Sequence, residues 1–167
     1  EDIAVGLAAG YPPPRRYESH HNPDVLPVGV VNLHVAPGLA HGLGNLYDAQ
    51  WAGVPLVITA GDHSTTHRDQ EPILGGDLTE IAEPFVKWSD EADTIETLPE
   101  MIRRAFRTAL TPPTGPVFLG LPLDVMLAET TQSPKPLGAI PNAGRGDPAQ
   151  IDTAATTIVN SNEPVMI

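Results

Sequence analysis

The chain has 167 residues, of which 41% are hydrophobic and 18% charged, and its 9 Lys and Arg against 21 Asp and Glu give a formal net charge of −12. The apolar share is sufficient for a folded core and excludes an intrinsically disordered chain. No apolar segment approaches the ~20 residues that span a bilayer, which excludes a transmembrane protein, and the acidic balance argues against a nucleic-acid partner because phosphate binding needs clustered cations.

The first part of the chain alternates between helix-like and strand-like segments. An Ala- and Leu-rich segment that stops at Gly10 is typical of a helix. The β-branched run around Val30 and Val31 is typical of a strand buried on both faces. The pair Pro37-Gly38 opens a segment whose apolar residues follow a 3.6-residue period. The predicted elements are a helix at residues 1–9, a Pro-rich loop at 11–27, a strand at 28–33 and a helix at 37–52.

The middle of the chain continues this alternation. Thr97, followed three residues later by Glu100, has the spacing of a capping box at the start of a helix. The predicted elements are a strand at residues 55–61, a loop at 62–76, a short helix at 78–82, a strand at 85–88, a helix at 97–110 and a strand at 115–121. Strands that alternate with helices in this way predict parallel pairing in a layered α/β sheet.

The C-terminal part has a different composition. Residues 127–147 are rich in Pro, Gly, Ser and Thr, which predicts a linker. Asp147-Pro148 then opens a predicted helix through Ile158, and residues 163–167 have the composition of a strand that is cut short. We therefore expect residues 148–167 to begin a second domain and the chain to be a piece of a longer polypeptide.

The sequence contains no Cys, and its only lysines are Lys87 and Lys135. The lack of Cys excludes disulfides and thiolate metal sites and fits a cytoplasmic location. An acidic, lysine-poor composition is typical of proteins from a high-salt cytoplasm, but an ordinary acidic protein has it as well. The composition leaves both interpretations open.

Candidate functional residues follow two of the predicted strands, at the edge of a parallel sheet where ligands bind. His34 ends one strand, where an imidazole can act as an acid or base or can simply be a hydrogen-bonded residue of the strand end. His63 and His67 have a spacing that allows a shared metal on a helix, although their polar surroundings favour solvated loop side chains. Glu1 begins a predicted helix, where its carboxylate either interacts with the helix dipole or, if buried, stays protonated and donates a hydrogen bond.

Four motifs occur in order along the chain. They are E-D-I-A-V-G-L-A-A-G-Y at residues 1–11, V-V-N-L-H with a following P-G at 30–38, P-L-V-I-T-A-G at 55–61, and the group K-W, R-A, G-P-V and L-P-L-D between residues 87 and 124. Together they resemble the N-terminal, pyrimidine-binding domain of thiamine-diphosphate-dependent decarboxylases and carboligases, most closely the benzoylformate decarboxylase branch. The resemblance covers residues 1–126 and implies a three-layer, doubly wound, mainly parallel α/β sheet that is incomplete at its N-terminus.

The resemblance also implies roles for individual residues. Glu1 matches the glutamate that activates the cofactor by hydrogen-bonding N1′ of its aminopyrimidine. His34 matches a catalytic histidine that relays protons near the substrate carboxylate. Gly38, Gly42 and Asp62 fall among the cofactor-binding positions, where the glycines let a helix approach closely. No residue of this chain is expected to bind a metal.

The resemblance implies thiamine diphosphate as cofactor, with Mg²⁺ bound by a domain absent from this chain. It also implies a homodimer or homotetramer with the cofactor at the subunit interface, and a small 2-oxo acid as substrate. His41 stands where Asn is expected in the benzoylformate branch, and Asp62 stands where a Gln is frequent, so the substrate stays open. The leading interpretation is a 2-oxo-acid decarboxylase, and the alternatives are an acetolactate-synthase-like carboligase and a non-catalytic α/β dimerisation fragment.

Overall fold

A parallel sheet organises the structure, a computed structural model that describes residues 1–19, 21–22, 24–140, 144 and 146–165. In this part of the chain four strands pair in the order β1-β2-β4-β3, and every pair is parallel. The strands are β1 (Gly29–His34), β2 (Leu56–Asp62), β3 (Ser89–Glu91) and β4 (Pro116–Pro122). The two central strands, β2 and β4, are buried along most of their length, as continuous apolar runs between two helical layers should be.

Helices cover both faces of this sheet. On one face pack α1 (Asp2–Gly10), α3 (Val35–Trp51) and α4 (Leu78–Ala82), and on the other packs α5 (Leu98–Leu110). The other helices are α2 (Pro12–Ser19), α6 (Leu123–Leu127) and α7 (Pro148–Val159), with single 3₁₀ turns at Arg68–Gln70 and Glu83–Phe85. The three-layer α/β fold is therefore confirmed. Within the described ranges, no helix is long and apolar enough to cross a membrane.

The larger part of the core lies between the sheet and the α1–α3–α4 layer. Val5 of α1, Leu39 and Leu46 of α3, and Ile58 and Phe118 of the central strands are almost completely buried there. Burial of a side chain of this size stabilises the fold by about 1.5–3 kcal/mol. On the opposite face, α5 covers β2 and β4 through a second cluster of small and β-branched side chains, which include Val57, Ala105, Ala109 and Val117.

The predicted loop at residues 11–27 is partly wrong, because Pro12–Ser19 form α2. Proline is tolerated in the first turn of a helix, where the N–H group that it lacks would have no helical partner. Arg16 then anchors the helix, since its Nη2 donates to Thr114 Oγ1 at 2.7 Å and to the main-chain oxygen of Gly53 at 3.3 Å. His20, also in this segment, lies outside the described residues.

The predicted strand at residues 85–88 is also wrong. A 3₁₀ turn occupies Glu83–Phe85, and the edge strand follows at Ser89–Glu91. The apolar side chains of Phe85 and Val86 pack against the core from this turn, so their hydrophobicity reflects burial without strand pairing. The strand that does form is polar and short, which is typical of an exposed sheet edge.

The predicted helix at residues 97–110 is confirmed, but its capping box is not. Thr97 is the N-cap residue, yet its hydroxyl donates to the main-chain oxygen of Thr94 at 3.0 Å and makes no bond to the helix. Glu100 pairs with Arg103 along the helix surface. The Thr97 hydroxyl therefore bonds within the turn before the helix and not, as the capping-box spacing predicts, to the first turn of the helix.

Residues 128–140, after α6, form neither helix nor strand. Leu137 and Ile140 pack against the α5 side of the core, and Arg107 Nη1 donates to the main-chain oxygen of Leu137 at 3.4 Å. None of the residues of α7 is buried. The last residues of the expected C-terminal strand, Met166 and Ile167, lie outside the described residues.

Gly29 provides a test of how closely α1 packs on β1. A Cβ at this position would lie 2.2 Å from the main-chain oxygen of Ala8 and 2.9 Å from Leu56 Cδ1. We therefore expect Gly29→Ala to lower the free energy of unfolding by about 1–3 kcal/mol, since the helix must move away from the strand. Urea denaturation measures this change. Gly10→Ala is the control, because no neighbouring atom lies within 4 Å of the added Cβ and Ala favours the helix. Equal urea midpoints for the two variants would contradict the close packing of α1 on β1.

Candidate active site

Glu1 lies at the N-terminal end of α1, where the sequence predicts the start of a helix. It is the N-cap residue, but its side chain makes no capping hydrogen bond and is 35% exposed. The partial positive charge at this end of a helix favours a carboxylate. The Glu1 carboxylate thus lies at the start of α1 but does not cap it.

Two glycines let α3 approach α1 beside this carboxylate. A Cβ at Gly38 would lie 3.2 Å from Glu1 Oε1, and a Cβ at Gly42 would lie 2.9 Å from Val5 Cγ2. His41, on the same helix, places its Nδ1 3.6 Å from Glu1 Oε2, which makes an ion pair when the imidazole is protonated. The missing side chain at Gly38 therefore leaves the space in which the carboxylate lies.

Asn45 fixes the start of α1 against α3. Its side-chain Nδ2 donates to the main-chain oxygen of Asp2 at 2.8 Å, and its main-chain N–H donates to Asp2 Oδ1 at 3.4 Å. Because Asp2 is next to Glu1, these bonds help to place the Glu1 carboxylate. Sequence reasoning missed Asn45, since an Asn within a helix carries no signal of a partner 43 residues earlier in the chain.

His34 is exposed at the end of β1 and is the N-cap residue of α3. The next residue, Val35, has a φ of +44°, a left-handed conformation that is strained for a β-branched side chain. The strand thus passes into the helix through one strained residue. The Cβ of His34 also comes within 3.2 Å of the position that a Gly38 Cβ would take. The structure therefore brings four of the predicted site residues, Glu1, His34, Gly38 and Gly42, to the junction of β1, α1 and α3.

Asp62 does not join this group. Alternation along β2 places it on the same face as Ile58 and Ala60, whereas His34 falls in the exposed series of β1. Its side chain is only 4% exposed; one oxygen accepts the main-chain N–H of His63 at 2.7 Å and the other lies 2.9 Å from Arg68 Nη2. The Asp62 carboxylate is therefore already occupied by partners within the chain.

Asp62 instead belongs to a cleft of about 530 Å³ beside the C-terminal ends of the strands. Its walls come from the loop at residues 63–77, the start of α4 and Glu91 of β3. Arg68 lies in this cleft and donates from Nη1 and Nη2 to the two oxygens of Glu91, each at 2.7 Å. These hydrogen bonds raise the pKa of Arg68 above its usual value. Sequence reasoning missed Arg68 and Glu91, because only the strand order brings them together.

Two further carboxylates hold the ends of this loop. Asp77 caps α4 and accepts the Glu80 main-chain N–H at 2.9 Å, which lowers the pKa of Asp77 below its usual value. At the other end, Thr65 donates from its hydroxyl and its main-chain N–H to Asp124 at the start of α6, which lowers the pKa of Asp124. Both carboxylates are therefore ionised at neutral pH, and the loop is fastened to the body of the domain.

The pair His63 and His67 stays without a third ligand among the described residues. Their rings are 6.3 Å apart in an edge-on arrangement, and His63 Nε2 lies 3.0 Å from the main-chain oxygen of Ile73. In the ranges that the structure describes, no group of three His, Asp or Glu side chains is arranged to hold a metal ion. This contact joins His63, at the start of the loop, to Ile73, near its end.

Comparison with known proteins places this geometry in a family. Residues 1–81 match the model of the thiamine pyrophosphate enzyme, N-terminal TPP binding domain. The chain is 32% identical over 140 residues to a benzoylformate decarboxylase of Pseudomonas aeruginosa, which covers 82% of this chain and 26% of that protein. It is 26% identical over 144 residues to an acetolactate synthase isozyme 3 large subunit of Escherichia coli, which covers 83% of this chain and 25% of that protein.

Solved structures agree with these relatives. The crystal structure of a benzoylformate decarboxylase from Polynucleobacter necessarius superposes with a TM-score of 0.70 at 31% identity, over 96% of this chain and 28% of that chain. The chain thus spans about a quarter of the length of the proteins that it matches. It belongs to the family of thiamine pyrophosphate-dependent enzymes and contains the family's N-terminal TPP-binding domain.

Proposed function

We propose that this chain is the pyrimidine-binding part of a thiamine-diphosphate-dependent 2-oxo-acid decarboxylase similar to benzoylformate decarboxylase. The observation that carries the proposal is that Glu1 Oε1 and His34 Cβ both come within 3.2 Å of the position that a Gly38 Cβ would take. A carboxylate and an imidazole at the end of a parallel strand are the groups that proton-transfer chemistry on a small acid requires. The resemblance to benzoylformate decarboxylases supports the choice of reaction.

The residues at this junction fit an aminopyrimidine. Because Gly38 has no side chain, α3 lies directly against the Glu1 carboxylate, and Glu1 is not used for helix capping, so its carboxylate can hydrogen-bond a ring nitrogen. When bound, thiamine diphosphate would supply a thiazolium carbon acid whose deprotonated form can add to a carbonyl. In this proposal the Mg²⁺ and the diphosphate are held by another part of the enzyme, as the resemblance implies.

Glu1 and His34 have separate tasks in this proposal. Glu1 holds a proton between its carboxylate and N1′ of the aminopyrimidine, and the helix dipole of α1 together with the Gly38 contact keeps it in place. His34, exposed at the strand end, moves a proton to or from the reacting acid. Gly38 and Gly42 set the distance between α1 and α3, and Asp62 contributes through the shape of the neighbouring cleft.

The proposal includes an assembly. We assign residues 1–126 to the pyrimidine-binding domain, 127–147 to a linker and 148–167 to the start of a middle domain, in a cytoplasmic homodimer or homotetramer. Ile3 and Leu7, one turn apart on α1, are 78% and 74% exposed next to Glu1. An apolar helix surface beside the cofactor position supports a subunit interface there.

A substrate screen separates this function from the second candidate, an acetolactate-synthase-like carboligase, which similarity to acetolactate synthases favours. The complete protein is supplied with thiamine diphosphate, Mg²⁺ and either benzoylformate or pyruvate. We expect an aldehyde and CO₂ from aromatic 2-oxo acids. Acetolactate formed from pyruvate would favour the second candidate, and no turnover of any 2-oxo acid would overturn both.

Gly38→Ala tests whether turnover depends on the position of the Glu1 carboxylate against α3. The added Cβ would lie 3.2 Å from Glu1 Oε1, so the carboxylate must shift by some tenths of an ångström. We expect turnover to fall by about 10-fold to 100-fold, as a small misplacement of a catalytic group does. Gly44→Ala is the control on the same helix, because its Cβ would make an ordinary contact, 3.7 Å from Asp2 Oδ1. A Gly38→Ala variant as active as the Gly44→Ala control would contradict the assigned site.

A further inference from the structure

The loop at residues 63–77 is fastened across the sheet by one arginine. Arg68 reaches Asp62 at the end of β2 and Glu91 on β3, and β4 lies between these two strands. Gly120 of β4 makes this possible, because a Cβ there would lie only 3.3 Å from Glu91 Cγ. Arg68 therefore ties together two strands that do not pair with each other.

The guanidinium is held in one orientation. Both Nη atoms bind Glu91, and Nη2 also lies 2.9 Å from Asp62, whose side chain is 4% exposed. The third nitrogen, Arg68 Nε, is buried without a hydrogen-bond partner among the described residues. A guanidinium that binds two carboxylates cannot rotate to bring its Nε–H to a hydrogen-bond acceptor. The guanidinium is therefore fixed in one orientation although the Nε–H stays unpaired.

The same loop supports the strained junction after β1. The Ala36 main-chain N–H donates to the Leu74 oxygen at 3.4 Å, and the position of a Gly76 Cβ lies 3.1 Å from Ala36 Cβ. The contact of His63 with the main-chain oxygen of Ile73 joins this part of the loop to the part that contains Arg68. A left-handed conformation is strained for valine and persists only where neighbouring structure holds it. The loop is such a neighbour of Val35, which has a φ of +44°.

From this arrangement we propose that Arg68 is a positioning residue, which holds the loop at residues 63–77 against Ala36 and thereby fixes Val35 and the orientation of His34. The inference rests on the proposed role of His34 as a proton relay. It goes beyond that role, since it assigns a function to an arginine that does not reach the Glu1–Gly38 junction. Loss of Arg68 should disturb the step that uses His34 and leave the step that uses Glu1 intact.

The test compares Arg68→Ala with Arg103→Ala in the complete protein. Arg103 is the matched control, because it pairs with a single carboxylate, Glu100, on the surface of α5. In Arg68→Ala we expect amide hydrogen exchange at Val35, Ala36 and the non-proline residues of 63–77 to accelerate by about 10-fold or more, and kcat for decarboxylation to fall by about 10-fold to 100-fold. Exchange of the cofactor thiazolium proton should keep its rate. Arg68→Lys should restore part of kcat, and millimolar methylguanidinium should restore part of both kcat and amide protection in Arg68→Ala.

Each outcome decides a separate point. Unchanged amide exchange in Arg68→Ala, or the same loss of kcat in Arg103→Ala, would overturn the inference. Faster amide exchange with unchanged kcat would also overturn it, since the loop would then not position His34. If the unsubstituted protein neither turns over a 2-oxo acid nor exchanges the thiazolium proton, the proposed function fails; the amide exchange of the loop is measured independently of it.

Discussion

Replacing Glu1 by Gln should slow hydrogen–deuterium exchange at the thiazolium carbon of bound thiamine diphosphate by on the order of 10²–10⁴-fold, the range that general acid–base catalysis supplies. Gln has the shape of Glu and can still hydrogen-bond a ring nitrogen, but its amide cannot hold the proton that the carboxylate shares with N1′. Glu1 makes no capping bond, so the substitution removes no contact that α1 needs. The rate is measured by quenching the complete protein in deuterated water and following the proton by NMR.

A neighbouring carboxylate provides the control for this result. Asp48 is exposed on α3, the helix that faces Glu1, and Asp48→Asn removes the same charge without touching the junction. Its exchange rate should equal that of the unsubstituted protein. Near-normal exchange in Glu1→Gln would remove Glu1 from cofactor activation, and an equal loss in Asp48→Asn would show that net charge and not position is responsible.

Local sequence patterns predict much of the fold and the part of the site around Glu1 and Gly38. The apolar runs at β2 and β4 specify buried strands, because strands covered on both faces accommodate continuous hydrophobicity. The run at β1 also forms a strand, but the expected burial on both faces is wrong: β1 lies at the edge of the sheet, its residues are alternately buried and exposed, and Val30 is 56% exposed. Gly38 and Gly42 lie four residues apart, on one side of a helix, and that side is the one on which α1 packs. The sequence, together with its resemblance to the family, was therefore sufficient to predict that Glu1, His34 and these glycines lie together.

The cleft that contains Asp62, Arg68 and Glu91 could not be predicted from the sequence, for a physical reason. Arg68 and Glu91 are separated by 23 residues, and their pairing depends on β3 lying next to β4 and not next to β2. No local periodicity encodes that order. The left-handed Val35 escapes prediction in the same way, because a β-branched residue prefers extended backbone and adopts this conformation only under tertiary contacts.

The Pro-rich segment shows the opposite error, in which local composition misleads. Three consecutive prolines, followed by Arg and His, are typical of a loop. They fall in the first turn of α2, where proline costs little, and Arg16 secures the helix on two distant turns at Gly53 and Thr114. The composition thus predicted a loop where the structure has a helix with tertiary contacts.

His34→Ala should separate turnover from cofactor activation. His34 makes no side-chain capping bond to α3, so its loss should leave the fold and the Glu1 contacts intact. We expect kcat for decarboxylation of an aromatic 2-oxo acid to fall by on the order of 10²–10⁴-fold, because a proton must then be exchanged with water in place of a positioned imidazole. The dissociation constant of thiamine diphosphate and the thiazolium exchange rate should not change. Steady-state kinetics and fluorescence titration of the cofactor measure the two effects.

A second histidine shows whether the effect is specific to the strand end. His67 is exposed in the loop beyond β2, and His67→Ala should retain full turnover. If His34→Ala and His67→Ala are equally active on every 2-oxo acid tested, His34 is not the relay. If instead cofactor affinity falls in parallel with kcat, His34 acts by shaping the junction at Gly38 and not by moving a proton. The split between kcat and cofactor affinity therefore distinguishes an acid–base role from a packing role at the position where β1 meets α3.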